Sequence, residues 1–175
     1  MSGLWSGQQA HGAVAEGARS KHQTNSFYFG IRLGFFAGLI WGLVRWMLYS
    51  IKFTKVIPAF LAEPFFRHQF LVSGWGHALG LGFFILFSIA ATFLYIVVFG
   101  RLKGPWWGII YGIAWWAVLM VAAGPLWGTM EPFNRIGYDT ISTEFSVFVV
   151  WGLFIGYTIA FEFHDEASRE PARPN

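Results

Sequence analysis

The sequence predicts an all-α integral membrane protein with four transmembrane helices, arranged as two tandem helical hairpins with approximate twofold symmetry along the membrane normal. Three observations lead there. Of 175 residues, 55% are apolar, 21% aromatic and only 12% charged, too little charge to cover a water-facing surface. Four windows, about 29–51, 73–99, 106–123 and 142–161, reach the roughly 20 mostly apolar residues that a helix needs to cross hydrocarbon. The chain also repeats itself at a shift of about 70 positions. Gly38-Leu39-Ile40-Trp41-Gly42-Leu43-Val44-Arg45-Trp46 lies over Gly108-Ile109-Ile110-Tyr111-Gly112-Ile113-Ala114-Trp115-Trp116, and Gly82, Phe84 and Ile85 lie over Gly152, Phe154 and Ile155. Each repeat holds an even number of spans, so both copies point the same way and their axis follows the normal.

Taken in order, residues 1–26 mix Gly, Ala, Ser, Gln and His without period, and such a segment buries too little apolar surface to offset its ordering entropy. It reads as a disordered cytoplasmic tail. The transmembrane domain covers 27–164, and its first span starts too late and runs too long for a cleaved signal peptide. In the first outer connection, Glu63-Pro64-Phe65 reads as a turn, echoed by Glu131-Pro132-Phe133 in the second. Phe65, Phe66 and Phe70, with Arg67 and His68 between them, suit a short helix lying flat on the surface. The second span is long enough to tilt. A tight basic turn, Gly100 to Pro105, leads to the third span, which opens on Trp106 and Trp107 as an interfacial belt would. Residues 165–175 are charged and proline-bearing, a second disordered cytoplasmic tail.

Orientation follows from Lys and Arg. With the termini inside, Arg19, Lys21, Arg32, Arg101, Lys103, Arg169 and Arg173 fall on the cytoplasmic side, against Lys52, Lys55, Arg67 and Arg135 outside. Basic loops beside anionic lipid account for the net charge of +3, so no nucleic-acid partner is implied. The bilayer is the partner that composition requires. The absence of cysteine excludes disulfides and thiolate chemistry.

Glycines recur at four-residue spacing: Gly30, Gly34, Gly38 and Gly42 in span one, Gly104, Gly108 and Gly112 entering span three, and the pairs Gly76/Gly80 and Gly152/Gly156. Small residues so spaced form grooves where two backbones approach closely, which predicts these ridges as the helix contacts. The deeper aromatics Trp41, Tyr111, Trp115, Trp116 and Trp151 read as core, each polar tip expected to meet a partner on another helix.

Ionisable residues within spans are costly in hydrocarbon and mark candidate sites. Arg45 lies about six residues, roughly 9 Å, from the outer end of span one. His77 and Glu144 each sit just inside the outer start of their spans, so Arg45, His77 and Glu144 form a candidate outer-leaflet cluster. Glu63, Arg67, Glu131, Arg135 and Asp139 in the outer loops are candidate contributors to a vestibule above it, suited to a lipid headgroup, a small anion or a peptide segment. The plainer alternative is that Arg45 snorkels to headgroup phosphates while His77 and Glu144 cap their helices. No catalytic motif, metal-ligand set or cofactor motif is found, and no carboxylate lies near a midplane where a proton-coupled pump needs one.

The order Glu63-Pro64-Phe65, Leu102-Lys103-Gly104-Pro105-Trp106-Trp107-Gly108, Tyr111-Gly112, Trp115-Trp116, Asp139-Thr140 and finally Gly152-Leu153-Phe154-Ile155-Gly156-Tyr157-Thr158-Ile159-Ala160-Phe161-Glu162-Phe163 resembles the YqhR family of membrane proteins from Bacillus-like Gram-positive bacteria. The resemblance spans about 29–163 and implies a multi-pass plasma-membrane protein. It carries no activity, cofactor or catalytic residue with it. Two functional classes follow from the residues. One is a non-enzymatic structural or interaction component, partnered with another membrane protein. The other binds or translocates a lipid or small amphiphile through the outer-leaflet polar site.

Overall fold

A computed structural model describes residues 26–100, 102, 104–127 and 136–168. Most of both predicted tails, the basic pair Arg101 and Lys103, and the candidates Glu131 and Arg135 lie outside the described residues. Among those described, every regular element is helical: α1 (Ser26–Ser50), a 3₁₀ turn (Phe60–Ala62), α2 (His68–Leu71), α3 (Gly74–Phe99), α4 (Trp106–Trp116), a π-helical stretch (Ala117–Ala123), α5 (Gly124–Trp127) and α6 (Tyr138–Ser168). Four helices are long and apolar enough to cross a membrane: Phe27–Ser50, Gly74–Phe99, Trp106–Ala123 and Tyr138–Glu162. They are apolar on both sides. One side meets other helices, while Ile40, Leu43, Leu86, Val97, Val118 and Phe161 point outward, where only lipid is a good solvent for them.

Two corrections to the element bounds matter for the site. The last helix begins at Tyr138, about one turn before the expected 142, so Asp139 sits in its first turn and Glu144 in its second. It also continues to Ser168, into the segment expected as a tail. The third span is not uniformly α-helical. Pro125 has no N–H to give the carbonyl four residues earlier, and the chain widens just before it, with Gly124 N–H bonded to the Leu119 carbonyl.

The helices pair as hairpins, α1 with α3 and α4 with α6. The second seam is glycine on glycine. A Cβ at Gly152 would stand 2.6 Å from Gly112 Cα, and one at Gly156 would stand 2.6 Å from Gly108 Cα, so both backbones come as close as glycine permits. In the first seam Gly34 and Gly38 face Ile89 and Ile85, where added Cβ atoms would lie 2.5 and 2.6 Å from the opposing Cα. Gly42 receives the Leu81 side chain. Gly76 and Gly80 depart from the expectation. They face Leu71 and Ala59 of the connection before α3, not a neighbouring span.

That connection, 51–73, is folded into the protein. α1 ends with Lys52 in the left-handed region (φ 62°), Lys52 N–H on the Tyr49 carbonyl and Phe53 N–H on the Leu48 carbonyl. This is the Schellman arrangement, usually closed by glycine. The chain then turns inward, burying Val56, Ile57, Ala59, Phe60, Ala62 and Leu71. Irregular backbone is admissible inside a membrane bundle when protein surrounds it.

Trp151 stands at the centre, fully buried, stacked on Phe87 (5.6 Å) and Tyr111 (6.1 Å). Its indole N–H donates to Ser88 Oγ at 3.1 Å, and the Tyr111 hydroxyl donates to the Ala91 carbonyl at 2.6 Å. Both bonds end on α3 and tie the two hairpins together. Trp41 Nε1 is buried without a hydrogen-bond partner among the described residues, unlike the expectation for deep indoles.

Gly82, open to lipid with nothing within 4 Å of an added Cβ, is the natural control for the seam. Gly152→Ala should lower stability in mild detergent by about 1–3 kcal/mol, with Gly82→Ala inside about 0.5 kcal/mol of the parent. Equal thermal midpoints for the two variants would contradict close backbone contact at Gly152.

Candidate functional site

Arg45 leaves α1 on a different face from its neighbour Trp46, because successive helical residues diverge by about 100°. Arg45 turns toward α6, where its Nη2 lies 2.9 Å from Glu144 Oε2, the two side chains only 3% and 1% exposed. The contact is an ion pair without hydrogen-bond alignment, and Arg45 Nε has no partner among the described residues. Three phenyl rings surround the guanidinium. Its Cζ lies 4.3 Å from the Phe60 ring centre, 5.4 Å from Phe84 and 5.6 Å from Phe148, within range for cation–π attraction. These rings come from the inward-folded connection, α3 and α6, so one cation touches three separate parts of the fold.

The carboxylate is held from its other side. Thr54 Oγ1 donates to Glu144 Oε1 at 2.7 Å and accepts from Val56 N–H at 3.2 Å. Lys55 N–H donates to Thr140 Oγ1 at 3.3 Å, and the Thr143 hydroxyl reaches the Phe53 carbonyl at 3.5 Å. Residues 53–56 therefore run as a strap along the first two turns of α6. A crevice of about 10 Å³ adjoins Glu144, lined by Trp116, Met120, Ile136, Thr140 and Ile141. It has room for about one water molecule.

The structure thus brings Arg45 and Glu144 together and leaves His77 apart. The imidazole lies against Trp46 (5.8 Å) and Tyr49 (5.4 Å), filling space between α1 and α3, and its Nε2 has no hydrogen-bond partner among the described residues. The snorkelling alternative is overturned as well, since Arg45 is shut inside the bundle. Among the described residues the Phe60 ring, 4.3 Å from the guanidinium, lies against the pair where the expected vestibule would open. Glu63 turns aside to His68, with Oε1 and Nδ1 2.7 Å apart, while Arg67 and Asp139 point to the exterior.

Thr54, Phe60 and Thr140 were not among the candidates. The signal for Phe60 lies in Val56-Ile57-Pro58-Ala59-Phe60-Leu61-Ala62, a run too apolar for a solvated loop although it contains a proline. Chemically, the arrangement is a clasp: two opposite charges neutralise each other and draw α1, α6 and the connection to one point.

The family described as conserved membrane protein YqhR matches residues 13–173. A protein of Bacillus subtilis (strain 168), described as uncharacterized protein YqhR, is 31% identical over 140 residues, covering 80% of this chain and 79% of that one. No solved structure matches.

A double-mutant cycle measures the clasp. Glu144→Gln or Arg45→Met alone should each cost about 3–5 kcal/mol, the first by leaving an uncompensated buried cation and the second a buried anion. The double variant Arg45→Met/Glu144→Gln should be more stable than the sum of the two losses implies. Strict additivity of thermal unfolding in detergent would show that the charges do not support each other.

Proposed function

Because the chain belongs to the YqhR family of conserved membrane proteins, we propose that it is a plasma-membrane component that works by holding another membrane protein rather than by catalysis. The observation that carries this reading is the Arg45–Glu144 pair, closed off at 3% and 1% exposure. Charges placed inside a bundle for transport or chemistry must meet a substrate, whereas these meet Thr54, three phenyl rings and each other. The clasp supports a role in fixing the shape of the bundle. What the bundle then presents are four outward apolar helix faces, and close packing between such faces is how membrane helices associate.

The distribution of Lys and Arg supports termini in the cytoplasm. With no native cysteine, Ser2→Cys and Ser168→Cys can be labelled singly. Both should react with an impermeant maleimide only after the cells are opened. Labelling of either terminus in intact cells would reverse the orientation.

Photo-crosslinking residues placed at Ile40, Leu86, Val118 and Phe161 sample the lipid-facing sides of all four spans. The proposal expects one of these faces to yield a protein adduct of a single mass in living cells and the others to yield lipid. Lipid adducts at every position would defeat it. A single lipid species captured at one position would instead favour binding of an amphiphile.

A further inference from the structure

We propose that the connection 51–73 docks anionic phospholipid headgroups, with Lys52, Lys55 and Arg67 meeting the phosphates and Phe65, Phe66 and Phe70 seated at the acyl boundary. Three observations point there. The first is charge. Lys52, Lys55 and Arg67 are exposed and form no ion pair among the described residues, while Glu63 of the same connection is taken up by His68. Asp139 is the exposed acid on the adjoining start of α6, and its charge is favourable to that helix terminus. The described part of this end therefore presents more unmatched positive charge than negative.

The second is an aromatic ledge. Phe65 lies tilted against Phe83 of α3 at 5.9 Å, Phe66 meets the same ring edge-on at 6.1 Å, and Phe66 lies 6.1 Å from Phe70. Yet Phe65 remains 74% exposed, and Trp75, in the first turn of α3, 81% exposed. Large rings left open at the end of a membrane helix suit the headgroup level, where their apolar bodies reach the acyl chains. The ledge continues onto α3 through Phe83 toward exposed Leu86, so the surface that would cover it is the same lipid that covers the span. Free phosphate would use the cations but gain nothing from the rings.

The third is strain. Lys52 holds φ 62°, a conformation that costs an L-residue more than glycine, and it does so at an exposed position where its ammonium forms no ion pair among the described residues. An ammonium held at the bilayer surface offsets that cost by meeting phosphate. The strain also supplies a test with two opposite signs.

The full chain, purified in non-ionic detergent, is melted alone and with phosphatidylglycerol, phosphatidylcholine or inorganic phosphate. Phosphatidylglycerol is expected to raise the midpoint by about 4 °C or more, as a ligand well above its Kd does, and the other two by less than about 1 °C. Lys52→Gly should melt higher than the parent without lipid, because the strain is relieved, and should lose about half of the phosphatidylglycerol shift. Arg67→Gln, at an exposed site, should lose a similar share without changing the lipid-free midpoint. Equal shifts from phosphatidylglycerol and phosphatidylcholine, an equal shift from phosphate, or a full shift in both variants would overturn the proposal.

Discussion

A guanidinium inside a membrane bundle keeps its proton, so it must be answered by a counter-charge. Arg45 imposes that requirement, and much of this end of the protein, around the connection 51–73, is arranged to satisfy it. Glu144 has to come from another helix at the right height, which fixes where α6 crosses α1. Glu144 in turn needs its second oxygen occupied, and Thr54 supplies a hydroxyl only if the chain folds inward after α1. Phe60 then closes over the cation. A single charge thereby accounts for a connection that no helix propensity explains.

The glycine seams work at right angles to this constraint. They set how closely α1 approaches α3 and α4 approaches α6, but a smooth groove gripped by dispersion alone specifies register weakly. Directional contacts supply the register. Trp151 to Ser88 and Tyr111 to Ala91 fix α6 and α4 against α3 near the core, and Arg45 to Glu144 fixes α6 against α1 nearer the connection 51–73. Under the 70-residue repeat, Arg45 corresponds to Trp115 and Glu144 to Gly74, so the ion pair has no counterpart between the other two helices. Trp115 instead sets its ring edge-on to Phe87 at 4.7 Å. The two halves share a pattern of apolar and small residues in sequence while differing in the contact that locks them.

Much of the architecture was legible because hydrocarbon enforces simple rules. Length and apolarity marked the spans, and the spacing of Gly108, Gly112, Gly152 and Gly156 marked a seam that depends only on helical period. Arg45 and Glu144 stood out because charge within a span is rare. What stayed hidden depends on local geometry. His77 has the same apparent depth as its supposed partners, but the face of α1 that it meets carries Trp46 and Tyr49 rather than Arg45. Gly80 looked like part of a helix-packing ridge, yet it accommodates Ala59 from a connection in which the residue pattern marked only the Glu63-Pro64-Phe65 turn and a short surface helix. The widening at Ala117–Ala123 follows from Pro125, although nothing in composition says how far upstream a proline will act.

The pair also bears on what kind of object the bundle is. An apolar replacement of similar volume is often at least as stable as a buried ion pair, so stability alone is a weak reason for Arg45 and Glu144. Specificity is a stronger one. An apolar contact between α1 and α6 would tolerate sliding or rotation in a lipid environment that is itself apolar, whereas a misaligned pair would strand two charges in hydrocarbon. The clasp therefore penalises every arrangement except the one that seats Phe60 and Thr54 beside it. With that arrangement fixed, the outward faces of α1, α3 and α6 keep a constant relation to one another, and a constant set of lipid-facing surfaces is what the proposed docking of a neighbouring membrane protein would require.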